Sequence, residues 1–118
     1  EAALLHNQNG FRVGAIEELR QAVAQGTNPE YKFRLAYLLD LVGEEREAVS
    51  LYEDLSATER PHINALLNLS VIYEDNGQLA AAEKCLRQIL DTDPNHERAR
   101  LYIVDVQSNF SLLIKYKD

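Results

Sequence analysis

Leu67-Asn68-Leu69-Ser70-Val71-Ile72-Tyr73, followed by Gly77, Ala82 and Leu86, is the stretch that decides how this chain folds. Moved back by 34 positions it falls on Phe33-Arg34-Leu35-Ala36-Tyr37-Leu38-Leu39, with Gly43, Ala48 and Tyr52 in the corresponding places. Moved forward by the same 34 it carries Leu69 to Ile103 and Ile72 to Val106. A fixed period of this size decides an architecture before any local propensity is weighed.

Within each period the spacing is helical. Leu35, Leu38, Leu39 and Val42 recur at intervals of three and four, as do Leu66, Leu69, Ile72 and Tyr73, so each set lines one helix face. A second stripe follows each glycine: Ala48, Leu51, Tyr52 and Leu55 in one repeat, Leu79, Ala82, Leu86 and Ile89 in the next. Gly43 and Gly77 stand where the first helix must stop, and glycine enters the left-handed conformation of a C-terminal cap without steric penalty. So short a connection makes the two helices antiparallel neighbours, a helical hairpin. Ala36, Ser70, Ala48 and Ala82 fall where paired helices approach most closely and a bulkier side chain would separate them.

The repeat resembles the tetratricopeptide repeat. Residues 63–96 carry Leu69-Ser70, Tyr73, Gly77, Ala82, Leu86 and Pro94 at that family's Leu, small, aromatic, Gly, Ala, large apolar and Pro positions. Residues 29–62 keep Leu35-Ala36, Gly43, Ala48 and Tyr52, with Leu39 for the aromatic and Pro61 as the closing proline; Lys32 and Leu66 replace the early Trp. The resemblance implies an all-α fold, an alpha-alpha superhelix of antiparallel helix pairs. The expected organisation is an array over 1–110 and a tail over 111–118 that extends the last helix or serves as a linker. The array divides into a partial repeat 1–28, repeats 29–62 and 63–96, and a capping helix 97–110. In the partial repeat, Gly10, Ala15, Leu19 and Ala22 match at an offset of 33, which predicts a truncated first helix and a turn at Gly10. The last helix carries Val104 at the small position and Gln107 at the aromatic one, and so reads as a cap over the open end of the stack.

Such arrays line a concave groove with their first helices, and the resemblance implies which positions face a ligand. The fifth positions are Phe33, Leu67 and Leu101, the ninth are Tyr37, Val71 and Asp105, and the twelfth are Asp40, Glu74 and Ser108. None of the fifth positions is required by the packing signature, so all three are expected on a surface that either meets a peptide partner or is covered by further N-terminal units, a neighbouring chain or the C-terminal tail. The groove would be apolar along one line and acidic along another, suited to a protein or peptide segment with apolar anchors and basic residues. A clamp for the acidic tails of heat-shock chaperones fits poorly. Asn68 matches its pattern and Arg98 has the right charge, but Phe33, Tyr37 and Tyr102 replace its other polar residues, and Asp40 and Glu74 would repel an acidic tail.

The expected function is a non-catalytic protein-interaction scaffold. Two other readings are an architectural or homodimerising module, associating through the groove or the C-terminal tail, and the regulatory part of an enzyme. Phe110, Leu113 and Ile114 would either pack against Ile103 and Val106 or offer a contact to another chain. With Ala99-Arg100-Leu101-Tyr102 and Asp105, that tail resembles the junction at which some bacterial repeat proteins precede a domain like the RNA polymerase alpha C-terminal domain. This would place a larger protein near transcription machinery.

Composition narrows the rest. The 118 residues are 46% hydrophobic and 26% charged, as in an ordinary folded domain. Nineteen acidic against 12 basic residues give a net charge of −7, which argues against a nucleic-acid partner, since phosphate binding needs clustered Lys and Arg. No apolar run reaches the length of a membrane span, and the first residues lack the basic-then-apolar order of a signal peptide. The lone Cys85 excludes an internal disulfide and fits the cytoplasm. With no Met in the chain, Glu1 is not an initiator, and a piece of a longer protein or a processed form is expected.

No catalytic, cofactor or metal site is expected. His62 and His96 are 34 apart but lie on interrepeat turns, where they are expected to be solvated, without carboxylate or thiolate companions at ligand spacing. Cys85 reads as a small half-buried thiol. Gly10-Phe11-Arg12-Val13-Gly14 has no strand before it and reads as a turn, not a phosphate loop. Glu44-Glu45-Arg46-Glu47 opens a helix, where acidic side chains suit the dipole.

Overall fold

The computed structural model describes the backbone of residues 2–26 and 28–116, and the side chains of 11–26 and 28–109. Among these described residues are six α-helices, in chain order α1 (Ala2–Gln25), α2 (Pro29–Leu41), α3 (Glu45–Ser56), α4 (Ile63–Asp75), α5 (Leu79–Thr92) and α6 (Glu97–Tyr116). Among the described residues there is no strand.

The chain leaves α2 and α4 by the same turn, and the repeat dictates it. Gly43 and Gly77 take φ of 90° and 77°, the left-handed region that a side chain makes costly. Around Gly43, the Glu44 N–H donates to the Leu39 carbonyl at 2.8 Å and the Gly43 N–H to Asp40 at 3.1 Å. Around Gly77, Gln78 donates to Tyr73 at 2.8 Å and Gly77 to Glu74 at 3.0 Å. These paired bonds satisfy carbonyls that the helix end would otherwise orphan. Helix α2 begins with Asn28, whose side chain accepts the Glu30 N–H at 2.9 Å, and with Pro29 at a position that needs no donor.

The chain divides into two compact units, residues 1–55 and 56–118. In the first, α1 packs on α2. Ile16, Leu35, Leu39 and Ala48 form the core, with Leu19, Val23, Leu38 and Leu51 packed against it. On its surface the Arg20 guanidinium grips the Glu47 carboxylate through both terminal nitrogens, tying α1 to α3. In the second unit α5 packs on both α4 and α6. Leu66, Leu69 and Ile72 of α4, Ala82, Leu86 and Ile89 of α5, and Ala99 and Val106 of α6 are all buried. The four small residues are as inaccessible as close helix approach requires: Ala36, Ala48 and Ala82 are 0% exposed and Ser70 2%. The Ser70 hydroxyl donates to the Leu67 carbonyl at 2.6 Å, so it carries no desolvation penalty.

One expectation changes. The turn at Gly10 does not form: α1 is one helix of 24 residues running through Gly10 and Gly14. A restart after Gly10 would place Arg12 in the first turn of a new helix with no acidic residue beside it, against the dipole. Running through costs roughly 1 kcal/mol per interior glycine and keeps the helical hydrogen bonds. At the other end α6 continues to Tyr116, into the stretch expected either to extend the last helix or to serve as a linker. The packing expected of Phe110, Leu113 and Ile114 concerns side chains outside the described ones.

Candidate functional site

The expected ligand-facing register distributes unevenly between surface and interior. On α2, Tyr37 is 51% exposed and Asp40 lies beside it in solvent. Phe33, one turn earlier, is half-buried, its ring 5.9 Å from that of Tyr52 and inclined by 53°. That tilted aromatic pair ties the fifth position of the repeat to the buried stripe of α3.

On α4, Leu67 is only 4% exposed, so the expectation that it lies on the surface is corrected. The reason is visible along the helix: Ala65, Leu66, Leu67, Leu69, Ser70 and Ile72 are all buried, which is more than one stripe of α4. A helix apolar on more than one face is an interior helix, and the run Ala65-Leu66-Leu67 carried that signal in the sequence. Val71 reaches solvent at 36%, and half-buried Glu74 accepts a hydrogen bond from the Asn109 Nδ2 at 3.1 Å, joining α4 to α6.

On α6 the register is open. Leu101 is 65% exposed and Asp105 is in solvent. Val104, at the position occupied by the buried Ser70 one repeat earlier, is 57% exposed. With Glu97 and Arg100 these two apolar residues line an open depression of ≈ 460 Å³. Sequence reasoning assigned Val104 no surface role, and Val42, placed on the packed stripe of α2, is 41% exposed at the end of that helix.

The histidines correct a further expectation. His62 and His96 are half-buried helix caps, not solvated turn residues. Nδ1 of His62 accepts the Ala65 N–H and Nδ1 of His96 accepts the Ala99 N–H, each at 3.1 Å. The usual cap residues, Ser, Thr, Asp and Asn, use an oxygen here. Cys85 is more deeply buried than expected, at 7%. Among the described residues no three His, Cys, Asp or Glu side chains converge as a metal site would require, and no helix is long and apolar enough to cross a membrane.

Arg20 and Glu47 perturb each other on the surface of the first unit. Its hydrogen bond to Arg20 holds the Glu47 carboxyl below the ordinary carboxylate range, and the same bond raises Arg20. This links helices and does not activate a group for chemistry.

No curated protein matches the chain in sequence. The family model described as Tetratricopeptide repeat matches residues 41–102, from the last residue of α2 into α6. Nothing supports the expected likeness to an RNA polymerase alpha domain at the C-terminal end. The matched segment holds the glycine turn after α2, the second helix of one hairpin and the whole of the next, and on that ground the chain belongs to the tetratricopeptide repeat family.

Proposed function

We propose that this chain is a protein-interaction module that binds peptide segments carrying apolar anchors next to basic residues, through the first-helix register. The observation that carries the reading is the pairing, on each unit, of an exposed large apolar residue with an exposed acid: Tyr37 with Asp40 on α2, and Leu101 with Asp105 on α6. Positions three or four apart on a helix face the same way, so each apolar side chain and its carboxylate meet a ligand together. Val71 adds an apolar contact on α4. Of the remaining register residues, Phe33 packs on Tyr52, Leu67 is buried, and the Glu74 carboxylate accepts a hydrogen bond from Asn109. The net charge of −7 favours a basic partner over an acidic one.

The test is an array of synthetic peptides in which Leu or Phe alternates with Lys, with Glu, or with Ser. Retention of the Lys series over the Glu and Ser series supports the reading, and equal retention of all three rules it out. A second reading, an architectural or homodimerising module, draws on the exposed Leu101 and Val104 of α6. Sedimentation equilibrium decides it: a concentration-dependent dimer lost in Val104→Asp favours architecture.

A further inference from the structure

Two histidines one repeat apart occupy the same structural position. His62 precedes α4 and His96 precedes α6, and each uses Nδ1 to accept the amide hydrogen three residues on, at 3.1 Å in both cases. Each also gives its backbone carbonyl to the helix, His62 to Leu66 and His96 to Arg100, at 3.0 Å. The receiving amides belong to Ala65 and Ala99, both 0% exposed, so no water can replace the imidazole as acceptor without a local opening.

An oxygen cap accepts at any pH above the carboxylate range; an imidazole accepts at Nδ1 only while that nitrogen carries no proton. From this geometry we infer that the starts of α4 and α6 form a paired acid-sensitive device. When the imidazoles take up a proton, two things happen at each helix start. The acceptor lone pair is lost and the Ala65 or Ala99 N–H is left buried without its partner. A positive charge also arrives at the helix end that already carries the positive pole of the dipole, and repels it. Both effects act in the same direction, and imidazole is the side chain that titrates between about pH 5 and pH 8.

Charged residues stand near both caps. Glu59 and Arg60 precede His62, while Asp93, Glu97 and Arg98 flank His96. The Asp93 carboxylate already accepts the Asn95 N–H at 3.2 Å. On α5, the helix packed against both α4 and α6, the charged residues are Glu83, Lys84, Arg87 and Asp91, with Arg87 paired to Glu83 at 2.9 Å. The device concerns the stability of the C-terminal unit and does not depend on the ligand proposed above.

The experiment compares thermal unfolding of the whole chain with that of the double variant His62→Asn, His96→Asn, at about pH 7.5 and about pH 5.5. Asn caps a helix with an oxygen that does not titrate in this range, and the third histidine, His6, is common to both proteins. The expected result is that the wild type loses roughly 4–8 °C more than the double variant on acidification. Amide resonances of Ala65 and Ala99 followed across the same range give a second readout on the wild type alone. They shift with pH if the caps open, even should the variant fold poorly. Equal losses in the two proteins, or Ala65 and Ala99 amides that do not respond to acid, would overturn the inference.

Discussion

The ring of Phe33 sits 5.9 Å from the ring of Tyr52, centroid to centroid, and Tyr52 is 0% exposed. The fifth position of the first full repeat therefore belongs to the packing between α2 and α3. Phe33→Ala is expected to destabilise the chain by about 1–3 kcal/mol, less than a fully buried phenylalanine because Phe33 retains contact with solvent. Urea unfolding checks this, with Phe33→Leu losing less. An unchanged midpoint for Phe33→Ala would show that the aromatic pair contributes nothing.

Leu67 follows the same logic more strongly. At 4% exposure its truncation to alanine should cost about 2–5 kcal/mol, whereas Tyr37→Ser and Leu101→Ser should stay within about 0.5 kcal/mol of wild type. Chemical denaturation of the three variants separates the buried residue from the exposed ones. The relation is contradicted if Leu67→Ala is as stable as Leu101→Ser.

The glycines make a prediction with two signs. Gly43→Ala and Gly77→Ala place a side chain at φ of 90° and 77° and should each cost about 1–2 kcal/mol, although the added Cβ meets nothing within 4 Å. Gly14→Ala lies inside α1, also with nothing within 4 Å of the added carbon, and should stabilise by up to about 1 kcal/mol. Thermal melts report both. A destabilising Gly14→Ala would mean that α1 is not a continuous helix there.

Much of this was readable in advance, and the residues show why. The 34-residue period placed Gly43, Gly77 and the small buried residues correctly, because turns and close helix contacts admit few residue types and those types repeat. Gly10 misled because glycine alone does not make a turn; the residues after it must also suit a helix start, and Arg12 does not. Leu67 misled because a family register says which way a residue points in a typical repeat, while burial depends on how many faces of that helix are covered. The histidine caps escaped because imidazole is not among the usual cap residues, Ser, Thr, Asp and Asn. Two imidazoles one period apart were the available signal.

The Arg20 and Glu47 pair predicts a modest acid dependence of its own. Since the folded Glu47 lies below the ordinary carboxyl range, its contribution is fully present above the unfolded value and fades as pH falls through the lower folded one. Both side chains are about two-fifths exposed, so the contribution is no more than about 0.5 kcal/mol. Comparing Glu47→Gln with wild type at neutral and acid pH should show a small deficit at neutral pH that closes in acid. A deficit that grows in acid would contradict it.

The central claim is that surface residues of the first helices, and not their buried neighbours, make the contact with a partner. Isothermal titration of a Leu- and Lys-containing peptide taken from the array measures it directly, on wild type, Tyr37→Ser and Leu101→Ser. Weakening of about tenfold or more in at least one variant, with its unfolding midpoint unchanged, is the predicted result. Wild-type affinity in both would contradict the claim.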